Sequence, residues 1–263
     1  MCGIAGFSLS PGSQVERTLA AQSLLAAIAE RGADAVGYAY RSPGDGYPTV
    51  VKQRTPASML LERISVPAAA GQLLVHVRDY TKGHPSIAAN NHPVRHGPVV
   101  GIHNGIITND DELLERHGCA RAEPQMTVDS EAIFAVAAHS RSDARALEAL
   151  EGAMAAAWLD ERDAGVLHLA RGVGRPLWLG QGQDGIFFAS TKLALEVLEH
   201  YCAISLRKRQ VREGTLFTLC EGRIAAQARF KPKRYVEAEP LPAVRAPGER
   251  ENCLSRLAAL AAT

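Results

Sequence analysis

The sequence predicts an α+β fold that is built on antiparallel β-sheets. Short apolar runs typical of strands fall in pairs joined by tight polar turns, as in GQGQDG at residues 180–185 and LCEGR at residues 219–223. Such short turns favour antiparallel pairing, because parallel strands need a long crossover connection. Segments in which apolar residues recur at helical spacing lie between these runs and predict helices.

The first half of the chain begins with a predicted strand and a predicted helix. The run GIAGFSL at residues 3–9 predicts the strand, and apolar residues in the segment 14–31 recur at helical spacing until Gly32. Further strands are predicted at residues 36–40, 49–52, 73–77 and 99–107. The last of these contains Asn104-Gly105, a pair that ordinarily forms a tight turn. Residues 78–97 predict a long polar loop, and long loops in compact domains are often functional.

The second half contains further helical and strand patterns before its composition changes. Helices are predicted at residues 110–117, 129–139, 143–155 and 192–201, and strands at residues 165–169, 177–180, 185–189 and 215–220. From Lys231 the chain is rich in Pro, Glu and Ala, which is typical of a linker or tail. We therefore divide the chain into a domain at residues 2–232 and a C-terminal tail at residues 233–263.

The composition is that of an ordinary globular protein. The 263 residues are 46% hydrophobic and 22% charged, and the formal net charge is +1. A nearly neutral chain gives no indication of nucleic-acid binding or of an electrostatic membrane anchor. No apolar run is long enough to span a bilayer, and the N-terminus lacks a signal-peptide pattern. We therefore expect a cytoplasmic protein without nucleic-acid or membrane partners.

The five cysteines predict neither a disulfide framework nor a thiolate zinc site, because they are scattered, odd in number and never form a CxxC pair. Cys2 differs from the others in position, since removal of Met1 would make it the first residue. Its own α-amine, with an ordinary pKa of about 7.7–8.0, could then accept the thiol proton and return it to a leaving amine. Position alone is weak support, because Cys2 could also simply begin a buried strand.

Four other residues have the chemistry that hydrolysis of an amino-acid amide requires. Asn104 and Gly105 could offer a side-chain NH2 and a backbone N–H to one oxyanion. Arg78, at the end of a predicted strand, could pair with a substrate carboxylate, and Asp129, at the start of a predicted helix, with a substrate ammonium. Each also has an ordinary interpretation: a tight turn for Asn104-Gly105, a surface ion pair for Arg78 and a helix N-cap for Asp129.

Six short motifs occur in a specific order along the chain. They are MCGIAGF at residues 1–7, RGADAVG at 31–37, HVRDYTKG at 76–83, NHP at 91–93, HNGIITN at 103–109 and VDSE at 128–131. In this order they resemble the motifs of the class II glutamine amidotransferases, which are N-terminal nucleophile (Ntn) hydrolases. The resemblance extends over about residues 2–230, and weaker matches include the segment 174–177 and Ala189-Ser190. Each motif is common by itself, whereas the ordered set with Cys at residue 2 is highly specific.

The resemblance implies a four-layer αββα sandwich of two antiparallel sheets, the Ntn-hydrolase fold, with Cys2 at a strand end between them. It also implies a reaction. Cys2 attacks the amide carbonyl of glutamine with its own α-amine as base, while Asn104 and Gly105 stabilise the oxyanion. Ammonia leaves first, and water then cleaves the γ-glutamyl thioester. The resemblance implies neither a cofactor nor a metal.

The resemblance also implies a substrate-binding set. Arg78 holds the substrate carboxylate and Asp129 the substrate ammonium, whereas Thr81 and His92 belong to the glutamine-binding loop. Arg31 is implied to be structural and to steady the Cys2 end of the strand. The glutamine loop departs from the family pattern, because Asp79-Tyr80 replaces Trp-Ala and Lys82 replaces His. These departures bear on which γ-glutamyl substrate is preferred.

Fused members of the family carry a synthase domain after the glutaminase domain, whereas only about thirty residues follow Lys231 here. We therefore expect the ammonia-using enzyme to be a separate chain. The alternative is a stand-alone hydrolase of γ-glutamyl amides or peptides. Leu254, Leu257 and Leu260 recur at helical spacing, so this short segment could dock on a partner or pack on its own domain.

Two competing interpretations belong to other functional classes. His84, His92, His96 and His103 lie within twenty residues of one another and could bind a metal, although their spacing fits no standard zinc pattern. A non-catalytic γ-glutamyl-binding protein is the other. It is disfavoured because a protein that only binds its ligand needs no nucleophile with oxyanion donors.

Overall fold

The strands of this protein form two antiparallel sheets. The computed structural model describes residues 2–238 and 241–261. Its strands are β1 (Gly3–Leu9), β2 (Ala35–Arg41), β3 (Thr49–Gln53), β4 (Gln72–Arg78), β5 (Val94–His96), β6 (Val99–Ile107), β7 (Gly152–Asp160), β8 (Val166–Arg171), β9 (Trp178–Gln181), β10 (Gly185–Ala189), β11 (Arg207–Gln210), β12 (Thr215–Cys220) and β13 (Arg223–Arg229). Its helices are α1 (Arg17–Ile28), α2 (Ala57–Leu60), α3 (Asp110–Arg116), α4 (Glu131–Ser140), α5 (Lys192–Cys202) and α6 (Pro247–Ala261).

The strand that follows Cys2 lies at the centre of the larger sheet. The seven-stranded sheet has the order β11-β9-β10-β1-β4-β2-β3, and the six-stranded sheet has the order β13-β12-β8-β7-β6-β5. β1 pairs with β10 on one side and with β4 on the other, both antiparallel. Because the backbone of β1 is hydrogen-bonded along both edges, the position of its first residue is fixed by its two neighbours.

Helices cover the outer face of each sheet. α1 and α5 pack on the seven-stranded sheet, and α6 packs on α1. α4 packs on the six-stranded sheet, and α3 packs on α4. The layers therefore follow the order helix, sheet, sheet, helix, which confirms the predicted αββα sandwich. Within the described residues, no helix is both long enough and apolar enough to cross a membrane.

Three apolar cores fill the spaces between the four layers. Along β1, the side chains of Ala5, Phe7 and Leu9 contribute to the core beneath the helices, whereas Ile4 contributes to the core between the sheets. This alternation is the period of two that a strand buried on both faces requires. The uninterrupted apolar run at residues 3–9 is therefore explained by burial of both faces.

The helix predicted at residues 143–155 is wrong. Residues 144–149 form a 3₁₀ turn, and the alanine-rich segment after it forms β7 in the interior of the six-stranded sheet. Alanine favours a helix locally, but β7 is paired with β6 and β8 along its two edges and is buried almost throughout. Pairing with two neighbouring strands overrides the local preference.

The tight turn expected at Asn104-Gly105 is also wrong, because β6 continues through both residues. Gly105 has a φ of 151°, and a Cβ atom added there would lie 1.9 Å from the carbonyl oxygen of Ala153. Glycine is thus required by the close approach of β7. The other predicted elements are confirmed within a few residues. The patterns do not predict α2, β5 and β11, which are short, or β13, which is largely exposed.

The C-terminal segment packs on its own domain. Cys253 and Leu257 of α6 are fully buried in the core that α6 shares with α1. Glu249 accepts hydrogen bonds from the backbone N–H and the hydroxyl of Ser58, and Arg256 pairs with Glu62 at 2.8 Å. One face of α6 therefore covers the seven-stranded side of the sandwich.

Replacement of Leu257 by Ala should destabilise the protein by about 2–4 kcal/mol, because a fully buried leucine leaves a cavity when it is shortened. Urea unfolding followed by circular dichroism measures the change. Leu260→Ala on the same helix is the matched control, since Leu260 is 38% exposed, and we expect a loss below about 0.5 kcal/mol. Equal stabilities of Leu257→Ala and the wild type would contradict the docking of α6.

Candidate active site

Cys2 lies where β1 begins and β4 ends. The register pairs Gly3 with Val77, so Cys2 is level with the last residues of β4. The main-chain N–H of Asp79 donates to Cys2 Sγ at 3.4 Å, and the thiol lies 3.4 Å from the Asp79 carbonyl oxygen, to which it donates. The sulfur of Cys2 is therefore held by the backbone of the residue that follows β4.

Contacts from two other parts of the chain fix the backbone around Cys2. Arg31 donates from Nε to the Cys2 carbonyl oxygen at 2.9 Å. Ser190, after β10, accepts from the N–H of Ile4 at 3.0 Å. A Cβ atom on Gly3 would lie within about 3 Å of Val77, Arg31 and Ile28 side chains. A larger residue after Cys2 would therefore require these side chains to shift.

The electrostatic environment of the thiol contains opposing influences. Burial raises the pKa of Cys2, whereas the Asp79 hydrogen bond and the positive charge of Arg78 lower it. The net direction is upward, so the folded protein does not by itself produce a thiolate at neutral pH. A base that removes the thiol proton is therefore required for nucleophilic attack.

Arg78 is buried and is tied to the loop that follows it. Its Nη1 donates to Asn91 Oδ1 at 2.6 Å, and its Nη2 donates to the carbonyl oxygens of Lys82, at 3.0 Å, and Gly83. Burial lowers the pKa of Arg78, while Cys2 and Asp129 act in the opposite direction. The guanidinium thus lies within electrostatic range of both groups and orders the loop between Asp79 and Asn91.

Other contacts attach the same loop to neighbouring elements. Lys82 Nζ contacts Asp110 at 2.7 Å and Asp111 at 3.1 Å. The Asn90 Oδ1 atom accepts from the N–H groups of Thr127 and Val128, at 2.8 and 3.0 Å. The lysine that departs from the family motif therefore bridges the loop to the start of α3.

Asn104 is a fully buried residue of β6 whose side chain has no hydrogen-bond partner. Both its Nδ2 and its Oδ1 are unpaired among the described residues. An unsatisfied buried amide costs free energy, roughly 1–3 kcal/mol. The arrangement becomes favourable when an oxyanion accepts a hydrogen bond from Nδ2, so Asn104 is suited to this role.

A hydrogen bond between the two sheets joins the surroundings of Cys2 to Asn104. His76, two residues before Arg78, donates from Nε2 to the carbonyl oxygen of His103 at 3.0 Å. The His103 ring contacts Ser130 Oγ at 2.8 Å. His76 stacks on His92 with ring centroids 4.1 Å apart. The backbone immediately before Asn104 is thereby held against β4.

Asp129 lies on the six-stranded side of the site and is buried. Its Oδ2 accepts from the N–H of Ile107 at 2.6 Å, at the end of β6. Burial raises the pKa of Asp129 from 3.8 to about 6, although the hydrogen bond from Ile107 opposes the shift. α4 begins at Glu131, and the Ser130 side chain before it makes no capping bond. Asp129 therefore holds the end of β6, and its carboxylate is largely ionised at neutral pH.

The two remaining predicted binding residues differ in exposure. Thr81 is exposed on the loop after β4, whereas His92 is 3% exposed and neither of its ring nitrogens has a partner among the described residues. Burial lowers the pKa of His92 well below its ordinary value, so the ring is neutral. The Thr81 side chain is therefore open to solvent, whereas the His92 ring stacks on His76.

The structure brings Cys2, Arg31, Arg78 and Asn104 to the region where β1, β4 and β6 meet, with Asp129 within electrostatic range of Arg78. Sequence reasoning did not identify the Asp79 main chain as the partner of the thiol, nor the inter-sheet bond of His76. No pattern in the sequence could identify these contacts. The first uses main-chain atoms, which almost every residue can supply, and the second uses a ring nitrogen that any histidine has. Among the described residues, no group of three or more His, Cys, Asp or Glu side chains is arranged to hold a metal ion.

Comparisons with known proteins identify related sequences. Residues 81–197 match the family described as "Glutamine amidotransferase domain". Glutamine–fructose-6-phosphate aminotransferase (isomerizing) from Rhizobium meliloti is 32% identical over 208 residues, which cover 74% of this chain and 32% of that protein. The enzyme of the same name from Salmonella typhi is 33% identical over 208 residues, with the same coverage of both chains. The matched region is about a third of the length of these relatives.

Solved structures share the fold. The glutamine phosphoribosylpyrophosphate amidotransferase from B. subtilis has a TM-score of 0.65 and 18% identity, covering 87% of this chain and 49% of that chain. A glutamine aminotransferase class-II domain protein from Silicibacter pomeroyi has a TM-score of 0.55 and 18% identity, covering 88% of this chain and 100% of that chain.

Two facing antiparallel sheets between helical layers, with these structural neighbours, define an Ntn-hydrolase fold. The chain belongs, more specifically, to the class II glutamine amidotransferases, a class of Ntn-type enzymes.

Replacement of Asp129 by Asn should remove a pH dependence of stability. Because the folded-state pKa of about 6 lies above the ordinary 3.8, the folded protein retains a proton that the unfolded chain releases. The stabilisation is complete below the unfolded pKa and is lost as pH rises through the folded pKa, by up to about 3 kcal/mol.

The Asp129→Asn variant keeps a side-chain oxygen as acceptor for the N–H of Ile107 but has no proton to lose, so this loss of stability should be absent from it. Urea unfolding between about pH 4 and pH 7 measures the effect. Asp45→Asn, in an exposed turn, is the control. A decline in Asp129→Asn as large as that of the wild type would rule out this assignment.

Proposed function

We propose that this domain hydrolyses the side-chain amide of glutamine with Cys2 as the nucleophile, after removal of Met1. The observation that carries the proposal is that two unusual groups belong to chain segments that contact one another where β1, β4 and β6 meet. One is a cysteine whose sulfur is held by a main-chain amide. The other is a fully buried asparagine amide without a hydrogen-bond partner among the described residues. A nucleophile and a waiting oxyanion donor are the parts that acyl transfer needs.

The proposed reaction uses the new α-amine of Cys2 as the base. An α-amine has an ordinary pKa of about 7.7–8.0, so a useful fraction is neutral at physiological pH. It takes the thiol proton as sulfur attacks the amide carbon, and Asn104 with Gly105 stabilises the oxyanion. The proton then passes to the leaving nitrogen and ammonia departs. Water, deprotonated by the same amine, cleaves the thioester to give glutamate and the free thiol.

Two charged groups are proposed to bind the amino-acid end of the substrate. Asp129 is mostly ionised above its pKa of about 6 and can pair with the substrate ammonium. Arg78 carries the positive charge for the carboxylate. Its hydrogen bonds to the carbonyl oxygens of Lys82 and Gly83 are the ones that a substrate carboxylate would replace or supplement. Thr81, exposed on the same loop, is proposed to contact the substrate at the surface, and His92 to support the loop from below.

We further propose that an acceptor enzyme on a separate chain uses the ammonia. The names of two relatives describe the amination of fructose 6-phosphate with glutamine, which supports transfer of the glutamine nitrogen to an acceptor. A γ-glutamyl amide or peptide as substrate is the second candidate. It is favoured by the altered loop, in which Tyr80 is 44% exposed and Lys82 is tied to Asp110.

Replacement of Cys2 by Ala should abolish ammonia release from glutamine, because no other group on the chain is proposed to form the thioester. Glutamate and ammonia are measured together on protein whose N-terminus has been identified by mass spectrometry. Protein that retains Met1 should also be inactive, since its terminal amine belongs to another residue. Cys119→Ala is the matched control and should keep wild-type activity. Ammonia release by Cys2→Ala at the wild-type rate would refute the mechanism.

Replacement of Asn104 by Ala should lower kcat by about 10²- to 10³-fold and leave KM nearly unchanged, since the oxyanion exists only during reaction. Stability should stay within about 1 kcal/mol of the wild type, because removal of an unpaired buried amide offsets the lost packing. Asn252→Ala, on the exposed side of α6, is the control. A large loss of stability with kcat unchanged would assign Asn104 to structure alone.

A substrate comparison separates the two candidate activities. Purified protein is given glutamine and γ-glutamyl anilide in parallel, and kcat/KM is measured for each. A preference for glutamine supports the amidotransferase. A preference for the anilide supports the γ-glutamyl hydrolase, with Cys2→Ala as the control in both assays.

A further inference from the structure

The C-terminal segment returns to the Cys2 end of the sandwich. The main-chain N–H groups of Arg245 and Ala246 both donate to the carbonyl oxygen of Glu30 at 2.9 Å. The side chain of Arg250 pairs with the Glu30 carboxylate at 2.8 Å. Glu30 directly precedes Arg31, whose Nε donates to the Cys2 carbonyl oxygen. The start of α6 is therefore fixed to the turn that supports the nucleophile.

Arg245 also contacts the other support of Cys2. Its Nε donates to Asp79 Oδ1 at 3.2 Å, and the side chains of Arg245 and Asp79 are 43% and 11% exposed. Asp79 is the residue whose main-chain N–H and carbonyl oxygen contact Cys2 Sγ. Arg245 thus joins Asp79, whose main chain contacts the thiol, to the turn before Arg31, whose side chain holds the Cys2 carbonyl oxygen.

A second ion pair attaches the tail nearby. Glu237 accepts hydrogen bonds from Arg175, at 3.1 Å from Nη1 and also from Nη2. Arg175 is 5% exposed. Burial is the main cause that lowers the pKa of Arg31, and the positive charge of Arg175 makes a smaller contribution in the same direction. Arg175 therefore lies within electrostatic range of Arg31. The tail therefore makes two ion pairs in the neighbourhood of Cys2. Glu237 of the tail pairs with the buried Arg175, and Arg245 of the tail pairs with the nearly buried Asp79.

The contact with Arg245 bears on the main departure of this chain from the family motif. Where the motif has Trp, this chain has an acidic residue whose backbone contacts the thiol. An anion beside the thiol opposes formation of the thiolate, because like charges repel. The charge of Asp79 acts on Cys2 in that direction. The tail supplies a cation, Arg245, that pairs with this carboxylate.

We propose that Arg245 is a positioning residue for Cys2. Arg245 keeps the Asp79 carboxylate paired with the tail, and this pairing holds the Asp79 main chain in contact with the thiol. This inference rests on the proposed function, in which the Cys2 thiol is the nucleophile. The C-terminal segment is accordingly part of the catalytic unit. Arg78 and Arg31 are the other charged side chains that interact with the thiol.

The test measures Cys2 reactivity and glutamine hydrolysis in the full chain. Alkylation of Cys2 by iodoacetamide is followed by peptide mass spectrometry between about pH 6 and pH 10, which separates Cys2 from the other cysteines. In Arg245→Gln we expect the alkylation profile to move to higher pH and the rate near pH 7.5 to fall about three-fold, as for loss of one partly exposed ion pair. kcat for glutamine should fall by a similar factor, while KM changes less than about two-fold.

Three variants decide between charge compensation and simple tail docking. Arg245→Lys and the double variant Asp79→Asn/Arg245→Gln should both return alkylation and kcat to within about two-fold of the wild type, because the first keeps a cation beside the carboxylate and the second removes the carboxylate. Arg256→Gln, which removes the exposed pair with Glu62 on the same helix, should change neither quantity.

The proposal is overturned if Arg245→Gln has the alkylation rate and kcat of the wild type. It is also overturned if the double variant is as slow as Arg245→Gln, or if Arg256→Gln loses as much alkylation rate and kcat as Arg245→Gln. Alkylation requires no substrate. A wild-type protein that fails to hydrolyse glutamine therefore refutes the proposed function, whereas the alkylation series still judges the role of Arg245.

Discussion

The antiparallel pairing of β1 with β4 is the constraint on which the candidate site depends. It places Cys2 beside the end of β4, so that the backbone of Asp79 holds the sulfur and the charge of Arg78 lies nearby. The pairing needs a glycine at position 6 of β1. A Cβ atom on Gly6 would lie 2.0 Å from the carbonyl oxygen of Leu73. Gly6 of β1 is therefore explained by the close approach of the β4 backbone.

Unpaired polar groups are concentrated at the same end of the sandwich. Asn104 and His92 each have two side-chain atoms without a partner among the described residues, and Arg31 and His76 each have one. Each such group costs roughly 1–3 kcal/mol, and the large cores between the four layers supply the stability that tolerates them. A site that binds a polar substrate benefits from donors already free of internal partners, because binding then breaks fewer hydrogen bonds.

Local patterns were sufficient for most elements and failed where pairing partners decide the structure. The apolar run at residues 3–9 and the helix at residues 192–201 follow from their own periodicity. The alanine-rich β7 does not, because its neighbours β6 and β8 are distant in sequence or follow it. Asn104-Gly105 has the composition of a turn, yet the Ala153 backbone leaves room there only for a continuous strand with glycine.

The sequence by itself determined the order of the motifs and, through them, the family, the αββα layers and the residues Cys2, Asn104, Arg78 and Asp129 as candidates. Tertiary structure alone decided which groups contact the thiol. The partners of Cys2 are main-chain atoms of Asp79 and a supporting arginine at position 31, and the carboxylate of Asp79 is held by Arg245, 166 residues away. Hydrogen bonds between distant backbone segments leave no periodic trace in the sequence, since any residue can supply them, and they exist only after the strands have paired.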